Sequence, residues 1–116
     1  MSSNIDHRGK FQLWSYSVGH GLLLLRSPKS KVRATQVDIL FKNVAALKIP
    51  TVFNDVHIKE VLFDELQPKP ELGDLTIANR KIFCASGQNF SGYIIADAVM
   101  VDESDREYDS ISPLLQ

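Results

Sequence analysis

The sequence predicts a mainly β domain, or an α+β domain with at most one short helix, in which an antiparallel meander forms a small barrel or a folded sheet. Two observations support this prediction. Apolar and polar residues alternate with a period of two in several short segments. Turn-forming residues separate these segments at intervals of roughly 10 to 20 residues. This spacing is typical of antiparallel strands that are joined by loops.

The first two predicted strands, residues 11–18 and 22–27, form a hairpin. The sequence GHG at 19–21 lies between them. A primed two-residue turn fits either of its two dipeptides, because glycine and histidine both tolerate a positive φ, and the sequence leaves this choice open. In both registers His20 is predicted as an exposed turn residue. Both registers also place five residues on one buried face: Trp14, Tyr16, Val18, Leu23 and Leu25.

Further strands are predicted along the rest of the chain. Residues 33–50 alternate up to Asn43, where a bulge is expected, and a strand is then favoured over a short helix until Pro50, which cannot donate to a ladder. Residues 56–66 fit both a strand and a helix, and their β-branched residues favour a strand in the first half. Two more strands and two loops are predicted: 80–86 and 92–101 as strands, 67–74 and 87–92 as loops.

Length and composition are those of one globular domain spanning residues 1–116, with 44% apolar and 23% charged residues. The polar residues 1–9 and the acidic residues 102–116 are expected at its periphery. The start of the chain has no signal-peptide core, and no apolar run is long enough to cross a membrane. The one cysteine, Cys84, is compatible with a reducing compartment. A cytoplasmic location without a membrane partner is therefore predicted.

The balance of charge argues against nucleic acid as a partner. The net charge is −1, so there is no global attraction to phosphate. The aromatic residues are spread over the predicted strands and do not form a stacking ladder with basic neighbours, which single-stranded nucleic acid would require. Another protein is the partner that the sequence favours.

Two local patches nevertheless depart from this balance. One is the acidic run, residues 102–109, in which five acidic residues accompany one arginine. The other is the basic loop, a name used here for Arg26, Lys29, Lys31 and Arg33. Each patch is open to two interpretations, an ordinary solvated face or a docking surface for a partner of opposite charge.

Residue spacings typical of catalytic and metal sites are missing from the sequence. His7, His20 and His57 form no closely spaced pair, and Cys84 has no second cysteine near it. Cys84 lies in the apolar segment KIFCAS, where a buried and inert thiol is expected. There is no phosphate-binding loop and no nucleophile elbow. We therefore predict no metal, no cofactor and no catalytic residue, and the interpretation leans away from an enzyme.

One stretch of the chain carries a family resemblance. The pattern FQLWSYSVGHGLLLLRSP, followed by QVDILFKNVAALKIP, resembles small bacterial β-rich families of unknown function, some of which are grouped with immunity proteins of toxin systems. The resemblance covers residues 11–50. It implies a single-domain binding protein rather than an enzyme, and it supplies no catalytic residue.

Two hypotheses for the function follow. The first is a non-enzymatic protein-binding module, possible contact residues being Arg26, Lys29, Lys31, Arg33, Tyr16 and His20. The alternative is a small-ligand-binding or enzymatic β-barrel protein with a pocket lined by Tyr16, His20, Arg26, His57 or Cys84. Convergence of these side chains on one pocket would favour the alternative, and scatter would favour the first. A homo-oligomer that pairs through a sheet edge is a further option.

Overall fold

The computed structural model describes residues 4–31, 33–66, 80–108 and 110–115. The predicted mainly β class is confirmed, because these residues form strands and two short 3₁₀ turns, with no α-helix among them. The strands are β1 (Asn4–Ser17), β2 (Leu22–Ser27), β3 (Gln36–Lys42), β4 (Ala46–Lys48), β5 (Val52–Val61), β6 (Lys81–Ser86), β7 (Ser91–Ala96) and β8 (Ala98–Ser104). The 3₁₀ turns are Phe63–Glu65 and Pro113–Leu115.

The ambiguous segment 56–66 is a strand in its first half, as favoured, and does not form the alternative helix. Its first half completes β5, and a 3₁₀ turn follows. The predicted strand 33–50 divides at Asn43, which has a φ of 53° and separates β3 from β4. The predicted loop 67–74 lies outside the described residues.

All strands belong to one antiparallel sheet with the order β4-β7-β6-β5-β1-β2-β3-β8. The sheet is not closed into a barrel, so the folded sheet is the one of the two predicted forms that is observed. Phe41 of β3 and Phe83 of β6 show the folding directly, since their ring centroids lie 5.6 Å apart. Three strands separate β3 from β6 in the sheet order. The two halves of the sheet therefore pack against each other.

The inner face of the folded sheet holds the main apolar core. Alternate residues of the strands contribute to it, which follows from the two-residue period of a strand. The largest buried members are Phe11, Leu23, Leu25, Ile39, Phe41, Phe53, Ile58, Phe83 and Ile94. A second, smaller cluster of Leu66, Ile82 and Ile95 is packed against Phe63 of the first 3₁₀ turn. The strand residues between those of the main core face outward.

The predicted hairpin is present, but its turn is longer than either predicted dipeptide. Residues 18–21 connect β1 to β2, and the His20 N–H donates to the Ser17 carbonyl at 3.3 Å. Gly21, with a φ of 62°, supplies the left-handed conformation. A Cβ on Gly21 would lie 3.0 Å from the Val44 nitrogen, which itself donates to the Gly21 carbonyl. Glycine is thus required at this position both for its φ and for this close approach.

A β-bulge at Trp14 corrects the predicted buried face. Leu13 pairs with Leu25, whereas Ser15 pairs with the preceding Leu24, so Trp14 is the extra residue in β1. The bulge turns Trp14 away from the core and onto the outer face, where it contacts Arg26. The burial predicted for Leu23 and Leu25 is confirmed. The burial predicted for Tyr16 and Val18 is wrong, because both are exposed in the part of the hairpin beyond Gln12, where β1 no longer pairs with β5.

Both chain termini contribute more to the sheet than their polar composition suggests. Residues 4–9 belong to β1 and pair with β5 except at a bulge around Gly9, whose N–H donates to the Asp55 carboxylate at 2.9 Å. Residues 102–104 complete β8. The described residues that follow, 105–108 and 110–115, are called the C-terminal segment, and they lie over the outer face of β1, β2 and β3. Residues 4–9 and 102–104 are thus parts of strands of the sheet.

Candidate functional site

Arg26 is not an exposed binding residue, as the sequence suggested, but a buried one. Its side chain is 1% exposed, as is that of Asp38, which lies opposite it on β3. Its Nε and Nη2 donate to the two oxygens of Asp38 at 2.8 and 3.1 Å. Its Nη1 donates to the Tyr108 carbonyl at 2.8 Å. Arg26 therefore forms a buried ion pair with Asp38, and its hydrogen bond to Tyr108 attaches the C-terminal segment to β2.

Aromatic contacts complete the surroundings of Arg26. The guanidinium lies 4.8 Å from the centroid of the Trp14 ring. The Tyr108 ring meets Trp14 edge-on at 4.8 Å, and its hydroxyl donates to Gln12 at 3.2 Å. Tyr108 thus binds the outer face through its backbone, its ring and its hydroxyl. The β-bulge makes this contact possible, because it places the Trp14 ring on the outer face.

Arg33, the second arginine of the basic loop, organises backbone. Its guanidinium donates to the carbonyls of Arg8, Ser27 and Thr35, the last two at 3.0 Å. Burial lowers the pKa of Arg33, and the negative charge of Glu103 opposes that change. Its donors therefore bind carbonyl groups of the chain itself.

The two charged patches lie side by side rather than on separate surfaces. The Lys29 ammonium is 3.4 Å from the Glu107 carboxylate, and the Thr35 hydroxyl donates to Glu103. Lys31 is exposed. Partial neutralisation of this kind weakens the hypothesis that the basic loop and the acidic run are two independent docking surfaces.

The remaining sequence-predicted contact residues lie at the tip of the β1–β2 hairpin. Val18 is 83% exposed and Tyr16 is 42% exposed, and His20 is exposed between two glycines. We call Tyr16, Val18 and His20 the hairpin end. Single exposed apolar side chains are normal, whereas Tyr16 at the end of β1 and Val18 in the turn are two exposed apolar residues close together in the chain, one of them aromatic.

A cleft of about 410 Å³ opens beside the hairpin end. Its apolar lining consists of Leu22, Leu40, Leu114 and Leu115. Its polar lining consists of His20, Lys42 and Asn43. We call it the hairpin cleft. A second cleft of about 320 Å³ is lined by Pro50, Val52, Phe53, Asn54, Asn89 and Phe90 and contains none of the predicted site residues.

The structure does not bring together the five residues of the hypothetical ligand pocket. Tyr16 and His20 lie at the hairpin end, whereas Arg26 is covered by the C-terminal segment. His57 is exposed on β5, and Cys84 is half-buried on β6, two register positions away from it. This scatter is the arrangement that the protein-binding hypothesis anticipates.

The environment of Cys84 disfavours the thiolate. Burial raises the pKa of the Cys84 thiol, the negative charge of Glu65 raises it further, and Lys59 opposes both effects. A nucleophilic cysteine needs the opposite, a lowered pKa. Within the described ranges, no three His, Cys, Asp or Glu side chains are grouped so that they could hold a metal ion.

We expect Cys84 to react slowly with iodoacetamide at pH 8. The pH midpoint of its alkylation rate should lie above that of the same chain unfolded in urea, because the raised pKa leaves less thiolate. Glu65→Gln should move the midpoint down and Lys59→Gln should move it up, since each removes one of the two opposing charges. Alkylation rates measured between pH 6 and 10 provide the test, and a folded midpoint at or below the unfolded one would contradict it.

Sequence reasoning missed the partners that give these surfaces their form. Asp38, Tyr108, Lys42 and Leu115 were not singled out. One signal for Asp38 was available, because it interrupts the apolar strand VDILF just as Arg26 ends the apolar run LLLLR, and opposite charges in adjacent buried strands favour pairing. No comparable local signal marks Tyr108.

Of the strands that the structure describes, β4 and β8 lie at the edges of the sheet. Among the described residues, β8 pairs only with β3, and it offers seven residues to a further strand. Asp102 and Glu103 lie within it, and like charges brought together by antiparallel self-pairing are unfavourable. Pairing of two copies through a sheet edge stays a prediction.

Two further findings bear on the class of protein. In the part of the chain that the structure describes, no helix has both the length and the apolar character needed to cross a membrane. Comparison of the chain with protein-family models, with curated proteins and with solved structures finds no match in any of the three.

Proposed function

We propose that the protein is a non-enzymatic module of the immunity type that binds another protein in the cytoplasm, with the hairpin end as its contact site. One observation carries this proposal. Val18 is 83% exposed at the tip of a hairpin whose Leu23 and Leu25 are fully buried. Burying a side chain such as valine at an interface contributes about 1.5–3 kcal/mol. Tyr16 adds an aromatic residue, a type enriched among the residues that dominate binding energy.

The backbone holds the hairpin end in place before any partner arrives. The Ser17 carbonyl accepts a hydrogen bond from His20, and the Val44 N–H donates to the Gly21 carbonyl at 2.9 Å. These contacts join the turn to its own strand and to the loop after β3. A contact site that is ordered in advance loses less conformational entropy on binding than a flexible loop does.

The charged patches are less suited to be the contact site. Arg26 and Arg33 already donate to groups of the chain itself, and Lys29 is paired with Glu107. A partner would have to displace these internal contacts to reach the two arginines. The proposal therefore assigns recognition chiefly to the apolar hairpin end.

Replacement of Val18 tests this proposal. We expect Val18→Asp to weaken partner binding at least about tenfold, because a carboxylate would be desolvated in an apolar contact. Leu62→Asp is the matched control, since Leu62 is 73% exposed and lies beyond the far end of β5. The wild-type chain and both variants would serve as baits in lysate of the source organism, followed by calorimetric titration of the purified partner.

A partner retained by the wild type and by Leu62→Asp, but lost with Val18→Asp, supports the proposal. Thermal unfolding of the two variants should change little, as is usual for exposed positions, by about 0.5 kcal/mol or less. Failure to enrich any protein, or equal binding by all three baits, would overturn the hairpin end as the contact site.

A further inference from the structure

We propose that the hairpin cleft receives an apolar side chain of an acidic segment of the protein partner, and that a neighbouring carboxylate of that segment pairs with Lys42. This inference rests on the proposed function, because the cleft opens at the hairpin end and shares His20 with it. The inference specifies the kind of partner segment, an acidic one with an apolar side chain. The exposure of Val18 and Tyr16 does not define this.

The lining of the cleft selects an apolar side chain. Leu22 of β2 and Leu40 of β3 belong to the sheet, and Leu114 and Leu115 of the second 3₁₀ turn lie against them. Leu40 is fully buried, whereas Leu115 is 42% exposed. The volume of about 410 Å³ lies within the range of about 300–1,000 Å³ that is usual for binding pockets. A leucine or a similar side chain fits this setting.

The charge at the rim selects a carboxylate beside that side chain. Lys42 is exposed, and no carboxylate among the described residues forms an ion pair with it. Asp97, whose backbone N–H donates to the Lys42 carbonyl at 2.9 Å, accepts a side-chain hydrogen bond from the Asn43 amide at 2.8 Å. Within the described ranges, Lys42 therefore has no ion-pair partner. A partner carboxylate would supply one while the adjoining apolar group fills the cleft.

The rim is held in an uncommon backbone conformation. Asn43 has a φ of 53°, which non-glycine residues seldom adopt and which asparagine tolerates best. Its carbonyl accepts a hydrogen bond from the Arg80 Nε at 3.3 Å, and the next residue, Val44, is tied to Gly21. Such conformations persist where surrounding contacts over-determine them, often at binding sites. These contacts thus hold Lys42 and His20 together at the opening of the hairpin cleft.

One wall of the cleft depends on the C-terminal segment. Leu115 follows Ser112, which is 1% exposed, and the segment is held farther back by Arg26 and Tyr108. The cleft consequently exists only while the segment lies on the outer face. Loss of the Leu115 side chain should open the cleft without disturbing the main core, of which Leu115 is not a member.

Two short peptides test the inference directly. The ¹⁵N-labelled full chain would be titrated with acetyl-Leu-Asp-Leu-amide and, separately, with acetyl-Leu-Asn-Leu-amide, which differs only in the charge. We expect saturable amide shifts at His20, Leu22, Lys42 and Leu115 with the acidic peptide. The neutral peptide should bind about fivefold more weakly, the size of one surface ion pair.

Three variants locate the interaction. Lys42→Gln should weaken the acidic peptide about fivefold and remove its advantage over the neutral one. Leu115→Ser should weaken both peptides about tenfold through lost apolar contact. Lys48→Gln is the control, because Lys48 is an exposed lysine of β4, the next strand in the chain, and does not line the cleft. It should leave both affinities unchanged.

Several results would overturn the inference. The first is equal affinity for the two peptides. The second is an affinity for the acidic peptide that Lys42→Gln does not change. The third is amide shifts in residues away from the cleft. A stronger response to octanoate than to the acidic peptide would identify a site for free amphiphiles and would likewise overturn it.

The failure of this inference is distinguishable from that of the proposed function. A captured partner that is lost with Val18→Asp, but is indifferent to Lys42→Gln and Leu115→Ser, overturns the cleft inference and leaves the hairpin end as the contact site. A chain that discriminates between the peptides but captures no protein leaves the cleft as a peptide site and overturns the proposed function.

Discussion

Arg26→Ala is expected to lower the free energy of unfolding by about 3–5 kcal/mol, the usual cost of breaking a buried ion pair from one side. Asp38 would remain in place, 1% exposed and without the two hydrogen bonds that Arg26 donates to it. The Tyr108 carbonyl would lose its donor as well, and Trp14 would lose the guanidinium that covers it. Chemical denaturation, followed by Trp14 fluorescence, measures the change.

The double variant Arg26→Met/Asp38→Leu is the control for this prediction. It removes both charges and keeps apolar bulk, so it should recover most of the lost stability, because the energetic penalty lies in the unpaired charge. Asp38→Leu alone should resemble Arg26→Ala, since it leaves the arginine unpaired. A loss below about 1 kcal/mol for Arg26→Ala would mean that water reaches Asp38, and it would contradict the buried pair.

Phe41→Ala is expected to cost about 3–5 kcal/mol, the range measured for deletion of a buried phenylalanine. Phe41 is fully buried, and its ring meets Phe83 at an interplanar angle of 66°. The two residues lie on opposite halves of the folded sheet, so the contact helps to hold the halves together. Urea denaturation should show the loss as a lower midpoint with an unchanged slope.

Phe41→Leu provides a graded comparison, because it retains apolar volume and should lose less than the alanine variant. Leu62→Ala serves as the exposed control, with a change of about 0.5 kcal/mol or less. Equal midpoints for the wild type and Phe41→Ala would show that the two halves do not depend on this contact, in conflict with the observed core.

The strand pattern of this protein was largely determined by the local sequence. Alternation predicted β1 and β3, and GHG predicted the turn before β2, because glycine readily adopts a positive φ that other residues disfavour. The sequence of β2, LLLLRS, does not alternate, and the strand is buried on both faces over most of its length, as is typical of a strand that is covered on both sides. The positions of strands and turns depend on residues close together in the chain, so they can be predicted from periodicity and from turn-forming residues.

The candidate site was predicted only in part. His20 was recognised as exposed because its flanking glycines mark a turn. The alternating pattern placed Tyr16 and Val18 in the core, although both are exposed. Alternation continues through them and does not indicate that the pairing of β1 with β5 ends at Gln12. The extent of a core is set by the strands that pack across it, and this information lies elsewhere in the chain.

Only the tertiary structure decided the roles of the charges and of Trp14. A bulge of one residue moves Trp14 to the opposite face, and neither periodicity nor composition requires that bulge. Arg26 appeared to belong to an exposed basic loop until Asp38 and the Tyr108 carbonyl, 12 and 82 residues away in the chain, were seen to enclose it. The sequence by itself determined where strands form, because the period of a strand is local. The tertiary structure decided which side chains remain available to a partner, because burial and pairing depend on residues distant in the chain.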